Sequence, residues 1–446
     1  MKITEVNISS LVNARKNWKI SRLGKLNPGI FCGRDPEGGS KTHSKSFTGY
    51  NIIQSAAIYN WYLDSNKVSR ISKALYDSMK SASLKKDDVL LNQLGNGVTF
   101  ARASIIPDKL LPATITRSVG CIRCDDSLLD PYFLVTWLNM PSTKKYIESF
   151  SSGSSRRAID GSKMKSFQIL MPNDTDEQNK IGMFFKKIQD KISLNKDINS
   201  ELETMMKTIY DYWFVQFDFP NDSDKPYKSN GGSMVWNDQL KREIPNGWQI
   251  LELNEIISRC STGLNPRDNF KLGSGNNYYV TIKNIDQNNV ILNEQCDKID
   301  DSALKIIDKR SDLQVGDILF TSIEPVGVTY LIQEKPKNWN INESVFTIRP
   351  NFDKVSFEYL FMLLSGDEIK IFTENSSAGS VHKGIRHSVL KTFKLAYKDK
   401  EIIDKFSVII SPLLRKMDSI NKENMLLEEL RDFLIPMLMN GQVVVS

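Results

Sequence analysis

The chain has 446 residues, of which 40% are hydrophobic and 25% charged, with a formal net charge of +6. That length predicts roughly three domains of about 150 residues, with apolar content enough for ordinary cores, which excludes a disordered or low-complexity chain. No run approaches the roughly 18 uncharged residues of a membrane span, Met1-Lys2-Ile3-Thr4-Glu5 has no apolar signal core, and five cysteines are too few for a disulfide framework. The expectation is a globular, cytoplasmic protein without membrane contact.

Residues 1–175 hold 25 Lys+Arg against 14 Asp+Glu, whereas residues 246–400 hold 19 against 20. The first large region is therefore the basic one, and basic surfaces gather phosphate backbones by releasing counterions. It contains the one Cys-x-x-Cys, Cys121-Ile122-Arg123-Cys124. A zinc site wants a second such pair or a histidine pair, and with only His43, His382 and His387 available the two cysteines read as small residues on an apolar strand. No metal is expected.

From Asp176 to Phe214 the apolar residues Ile181, Phe185, Ile188, Ile192, Leu202, Met206, Ile209 and Trp213 fall on heptad a and d sites, interrupted by Asn195 and Asn199. That predicts one strand of a coiled coil with a polar middle. Turn chemistry follows, in Asn221-Asp222-Ser223-Asp224-Lys225-Pro226 and Ser229-Asn230-Gly231-Gly232-Ser233, and predicts a linker over 216–245. The next region carries short strands at Tyr278–Ile282, Asp317–Thr321 and Val345–Ile348 among Gly-rich turns, an α+β pattern. From Glu401 to Asn440 the heptad returns with Phe406, Ile410, Leu413, Met417, Ile420, Leu427, Leu434 and Leu438, and Asn424 stands where Asn199 does. Pro412 inside this helix should kink it or mark a restart; Pro436 and Gly441 mark its end.

Much of this is written twice. The segment from Phe150-Ser151-Ser152-Gly153-Ser154 to Phe167 reappears about 226 positions later, from Ser376-Ser377-Ala378-Gly379-Ser380 to Phe393. Asp88-Val89-Leu90 with Gly97-Val98-Thr99 parallels Asp317-Ile318-Leu319 with Gly327-Val328-Thr329, and Trp18 with Leu23 parallels Trp248 with Leu253. A repeat of roughly 220 residues is too long for a solenoid, so it predicts two whole domains related by an approximate two-fold. The expected layout is a first domain over 1–175, a helix over 176–215, a linker over 216–245, a second domain over 246–400 and a second helix over 401–446.

Several segments on this frame resemble the specificity subunits of Type I restriction-modification systems. They are Asp211-Tyr212-Trp213-Phe214-Val215-Gln216-Phe217-Asp218-Phe219-Pro220, Lys225-Pro226-Tyr227-Lys228 through Gly231-Gly232 and Trp236, and Glu243-Ile244-Pro245-Asn246-Gly247-Trp248. Others are Glu177-Gln178, Val315-Gly316-Asp317-Ile318-Leu319, and Leu430-Arg431-Asp432-Phe433-Leu434-Ile435-Pro436 with Gly441. The resemblance covers nearly the whole chain. It implies two target recognition domains, each reading half of a split double-stranded DNA sequence, separated by two long antiparallel helices that dock two methyltransferase subunits. Restriction (motor-nuclease) subunits would join for cleavage, with S-adenosylmethionine and ATP bound by partner subunits and no cofactor on this chain. The helices would act as a ruler: about 35 residues at 1.5 Å rise give about 50 Å, which bounds the half-site separation at about 15 base pairs.

The residues themselves carry no catalytic motif. There is no Gly-x-x-x-x-Gly-Lys-Ser/Thr phosphate loop, no Asn/Asp-Pro-Pro-aromatic tetrad and no Gly-x-Gly-x-x-Gly turn, and Gly95-Asn96-Gly97 is a tight turn. Expected DNA contacts in the first domain are Ser152, Gly153, Ser154, Arg156 and Arg157, because a Gly-Ser loop ending in two arginines approaches phosphates closely and aims a fork at guanine. In the second they are Gly379, Ser380, His382, Lys383 and Arg386 at the matching loop, Gly263, Asn265 and Arg267 of Thr262-Gly263-Leu264-Asn265-Pro266-Arg267, and Lys283 and Asn284 at a strand end. The first domain is expected to lack the Gly263 element, its corresponding segment being Arg34-Asp35-Pro36-Glu37-Gly38-Gly39 with Lys41 and Lys45. The alternative is a coiled-coil adaptor whose large domains bind protein; steep salt dependence separates DNA binding from it.

Overall fold

A computed structural model describes residues 17–26, 29–36, 38–39, 49–153, 156–286, 289–294, 296–376 and 384–443. The chain divides into two compact units, 1–194 with 424–446 and 195–423.

In the first unit the strands of the repeated framework are β1 (Trp18–Arg22), β2 (Gly29–Cys32), β3 (Asn51–Ile53), β4 (Ser69–Arg70), β5 (Val89–Asn92), β6 (Ala103–Ile105), β7 (Ala113–Ile115), β8 (Val119–Arg123) and β9 (Gln168–Pro172). They form a sheet of order β2-β8-β5-β6, a second of order β4-β3-β7 and an antiparallel pair β1-β9. The second unit repeats them as β10 (Gln249–Glu252), β11 (Ile257–Thr262), β12 (Asn277–Val280), β13 (Asp297–Ile299), β14 (Ile318–Thr321), β15 (Thr329–Leu331), β16 (Trp339–Ile341), β17 (Val345–Pro350) and β18 (Lys394–Tyr397). Their orders are β11-β17-β14-β15, β13-β12-β16 and β10-β18. A parallel pairing recurs as well, β3 with β7 and β12 with β16. Each unit thus has the α+β organisation expected, with the duplication carried into strand order.

The apolar runs of the central strands follow from this layering. Every residue of β5 and of β14 is buried. Val89 and Leu91 face one core, built with the helix Pro131–Asn139, while Leu90 faces the core shared with β7. In β14, Ile318 and Phe320 take one side and Leu319 the other. A strand covered on both faces reads as continuous hydrophobics instead of alternating.

At the head of each central strand lies a buried ion pair. Asp88, fully buried, accepts Arg123 Nε at 2.8 Å and Nη2 at 2.7 Å, and takes the Lys85 N–H at 2.7 Å; Arg123 Nη2 also donates to the Ser83 carbonyl at 3.1 Å. Asp317 repeats this with Arg349 Nε at 2.7 Å, Nη2 at 2.9 Å and the Gln314 N–H at 2.8 Å, Arg349 Nη2 donating to the Asp312 carbonyl at 2.6 Å. The cysteines beside Arg123 stay thiols: burial pushes both Cys121 and Cys124 up.

The two long helices run Thr175–Tyr210 and Lys400–Met439, and each gives one half to each unit. In the first unit Gln178, fully buried, fastens the helix start: its side chain accepts the Asp130 N–H at 3.1 Å and donates to the Pro172 carbonyl at 3.1 Å. The heptad residues Ile181, Phe185, Ile188 and Ile192 share a core with Ile435 and Leu438, and Arg431 reaches Gln189, so within this unit the half-helices run antiparallel. Within the second unit Asn195 donates to Glu423 at 2.8 Å, Asn199 to Asn421 at 2.7 Å, and Tyr210 packs on Phe406, again antiparallel. Within the second unit the polar layer thus includes Glu423 and Asn421 opposite Asn195 and Asn199. The apolar stripe packs on the other helix and on the unit's own sheet domain at once.

Pro412 marks no restart, the second helix being one element from Lys400 to Met439. Proline removes the bond to the carbonyl four residues earlier, here that of Val408, a residue three-quarters exposed on the helix surface. The segment 216–245, read as a linker from the sequence, packs within the second unit: Phe219 stacks on Trp248, Phe217 meets that ring edge to face, and Asp218 accepts the Ser229 N–H at 2.7 Å.

Replacing Asp88 or Asp317 with Ala strands a largely buried guanidinium without its anion and should cost about 3 kcal/mol. Chemical denaturation reads this as a lowered midpoint, and an unchanged midpoint would mean that the pair does not hold the sheet.

Candidate nucleic-acid interface

The far end of each central strand leads into a rim of loops. After β5, Gln93 takes the carbonyl of Ser118 on its N–H at 3.1 Å, gives its own carbonyl to the Ile159 N–H at 3.0 Å, and donates from Nε2 to the Arg117 carbonyl at 2.6 Å. Cys32 donates its Sγ–H to Gln93 Oε1 at 2.9 Å, and burial, the largest influence, pushes that thiol up so that it stays a donor. After β14, Ser322 repeats the frame, its N–H on the Ser344 carbonyl at 2.9 Å and its carbonyl on the Ile385 N–H at 2.8 Å. Ile159 and Ile385 are thus tethered alike.

Within the first loop Ser152 and Ala158 exchange backbone bonds at 3.0 Å, and Gly153 turns the chain at φ +91°. Arg157 pairs with Gly95 in a short ladder, and its guanidinium is held by Glu148. Arg156 points into solvent. The two arginines differ: one braces the loop, the other is available. Ser154 lies outside the described residues, as do Gly379, Ser380, His382 and Lys383 of the second loop; Arg386, at the start of the helical turn His387–Leu390, is exposed.

Gly263 is buried, a Cβ there would sit 1.7 Å from the Ile341 carbonyl oxygen, and its N–H donates to the Asn342 carbonyl at 3.2 Å. Its role is close backbone approach. The first unit has the same element, contrary to expectation. At Gly33 a Cβ would stand 2.3 Å from the carbonyl oxygens of Ile115 and Thr116. Gly33-Arg34-Asp35-Pro36 matches Gly263-Leu264-Asn265-Pro266. The turns close alike, Gly39 N–H on the Pro36 carbonyl at 2.9 Å and Asn269 N–H on the Pro266 carbonyl at 2.8 Å. The shared signal was the spacing Gly-x-x-Pro at strand end, hidden because neither the residues between nor those after agree.

The Asn265 carbonyl accepts Asn269 Nδ2 at 3.0 Å, and Arg267 is exposed. Asn284 is a cap: its Oδ1 accepts the Thr281 N–H and Oγ1–H, both at 3.0 Å. Lys283 beside it is exposed. The Asn342 N–H on the Val280 carbonyl, at 2.9 Å, joins this strand end to the Gly263 turn. Arg34 and Arg117 are exposed cations that sequence reasoning missed, the Arg117 guanidinium lying 3.5 Å from the exposed Asp35 carboxylate. Their signal was alignment on the following strand: Arg117-Ser118-Val119 answers Glu343-Ser344-Val345. One scaffold position carries a cation in one unit and an anion in the other, and Arg34 answers Leu264.

The family model for the Type I restriction modification DNA specificity domain matches residues 16–204 and again 245–429. The chain belongs to that family. Similar relatives are the Type I restriction enzyme MjaIX specificity subunit of Methanocaldococcus jannaschii, 24% identical over 75% of this chain and 74% of that protein, and the Type I restriction enzyme HindI specificity subunit of Haemophilus influenzae, 23% identical over 81% and 87%. The fold is that of the crystal structure of the S subunit of a Type I restriction-modification system from M. genitalium, with a TM-score of 0.57 at 15% identity over 95% of this chain and 96% of that one. Among the described residues no helix is long and apolar enough to cross a membrane.

Gly33→Ala should lower the thermal midpoint by several degrees, since the added methyl meets backbone oxygens that cannot swing aside. Gly39→Ala, whose Cβ would meet nothing within 4 Å, should cost only the strain of its φ of +60°. Equal midpoints in a thermal scan of the two variants would refute the close-approach role.

Proposed function

We propose that this chain is the non-catalytic, DNA-reading subunit of a Type I restriction-modification assembly, and that each unit reads one half of a bipartite double-stranded target. One observation carries the reading: matching strand frameworks hold turns at matching positions whose side chains differ, exposed Arg117 against exposed Glu343 and exposed Arg34 against half-buried Leu264. Shared scaffolds with exchanged rim chemistry are what two different half-sites require, because base edges are read by side chains within hydrogen-bond reach of the groove. The excess of cations in residues 1–175 favours a phosphate backbone over an acidic-neutral protein surface.

On this reading Arg156, Arg267, Lys283 and Arg386 reach DNA from exposed positions, whereas Gly153, Gly263 and Asn284 shape the turns that carry them. The methyltransferase subunits dock along the long helices. Support comes from an apolar stripe left in solvent on the second helix, Leu426, Leu430 and Phe433, at the four- and three-residue spacing of one helix face. Methyl transfer with S-adenosylmethionine, and ATP-driven restriction, belong to those partners, and the helices between the domains set the half-site spacing.

Exchanging residues 246–400 for the matching segment of a relative should change one half of the methylated sequence and leave the other intact. Methylome sequencing of a host carrying the chimaera decides it, and alteration of both halves would sink the one-unit, one-half-site reading. Arg156→Ala should weaken cognate DNA binding by about 1–3 kcal/mol. Unchanged affinity at moderate salt, measured by fluorescence anisotropy, would remove Arg156 from the interface; affinity insensitive to salt would favour a protein-binding adaptor.

A further inference from the structure

The two units differ at one internal place where their frameworks agree. In the first unit Ile58 and Leu63 pair as the base of a hairpin whose tip is Tyr59-Asn60-Trp61-Tyr62, closed by the Tyr59 N–H on the Tyr62 carbonyl at 3.0 Å. Trp61 adopts φ +76°, a strained conformation for an aromatic residue, and the surroundings hold it there. Its N–H donates to the Ala103 carbonyl at 2.9 Å, its ring lies 6.3 Å from that of Phe185, and the Arg431 guanidinium covers it at 5.4 Å. Lys144 donates to Asn60 Oδ1 at 2.6 Å. The hairpin tip is thus a plug seated against a strand edge, a long helix and a lysine.

The second unit has the same hairpin base, Ile285 paired with Val290, with the same number of residues between. The tip there is Asp286-Gln287-Asn288-Asn289, of which Gln287 and Asn288 lie outside the described residues. No tryptophan is present to serve as plug. The socket is nevertheless built. Thr329, which pairs with Phe320, stands where Ala103 pairs with Leu91; Lys370, fourth residue of its helix, stands where Lys144 is fourth in its own; Met206 answers Arg431 at the offset of the long helices. These three residues line a cavity of about 210 Å³ together with Phe361, Met417 and Ser365. Three methionines face it, Met206, Met362 and Met417, and thioethers pack favourably against aromatic edges. Lys207 at the cavity wall is already held by Asp367 at 2.7 Å.

We propose that this cavity is a socket for an aromatic side chain presented on a tight turn of a partner protein, the turn that the first unit supplies from its own chain. The occupant is specified by the filled copy: an indole or phenol ring among the methionines, its backbone N–H on the Thr329 carbonyl, and an amide or carboxylate beside it on Lys370. The inference rests on the internal duplication and stands whether or not the DNA reading holds.

The test uses the full chain with 13C-methyl methionine and a cyclic peptide containing residues 58–63. Ring-current shifts should appear at the methyls of Met206, Met362 and Met417 and saturate, with none at Met164 of the first unit. The Trp61→Ala peptide should produce no such shifts, and Lys370→Ala, which leaves the apolar walls intact, should weaken the peptide about fivefold. Met206→Trp, filling the cavity from within, should abolish the shifts at the remaining two methionines. Absence of shifts at millimolar peptide, or equal shifts with the Trp61→Ala peptide, would reduce the cavity to a packing void and overturn the proposal.

Discussion

Each unit hangs on a carboxylate buried at the head of its central strand. Asp88 and Asp317 each receive a two-pronged guanidinium from the neighbouring strand and the backbone N–H of the turn that leads into them, so two separate segments of chain meet at one charge. A buried ion that lost any of these partners would be costly, which makes the arrangement all-or-none. From that anchored head the strand runs through four buried residues and delivers its far end, Gln93 or Ser322, to the same place relative to the sheet. The loops of the candidate interface are tied to that far end by backbone bonds. Backbone bonds do not depend on side-chain identity, so the loops can change composition without losing their seat.

Gly33 and Gly263 show the same separation of duties. Both turns are pressed onto carbonyls of the neighbouring strand end, which no side chain could permit, and the residues that follow are unconstrained by that contact. Arg34, Arg117 and Arg156 make the first rim cationic, while Leu264 and Glu343 stand at matching points of the second. Positional constancy with chemical variation is what the proposed reading of two different half-sites requires.

The long helices follow a different logic, since one apolar stripe serves two neighbours. In each unit the half-helices pack antiparallel on one another and on that unit's sheet domain, and the polar layer of Asn195 and Asn199 penalises any slipped alignment by leaving an amide buried without its partner. Where Leu426, Leu430 and Phe433 remain in water, and where a tryptophan plug is missing beside Met206, apolar surface is left over for something else.

The sequence by itself determined the duplication, the α+β class, both long helices and the aromatic segment Asp211–Pro220, because periodicity and repeated motifs are local properties that survive divergence. It also marked Gln178 and Asp317 without saying why; their partners, Asp130 and Arg349, lie 48 and 32 residues away. Only the tertiary structure decided that Arg157 braces its loop through Glu148 while Arg156 is free to face solvent, that Asn284 is a cap, and that Gly33 answers Gly263. Those distinctions depend on which atoms from distant segments arrive within about 3 Å, and one-dimensional spacing carries no such information. The passage of the second helix through Pro412 was likewise illegible, since a proline's cost depends on whether the carbonyl it leaves unpaired faces water or core.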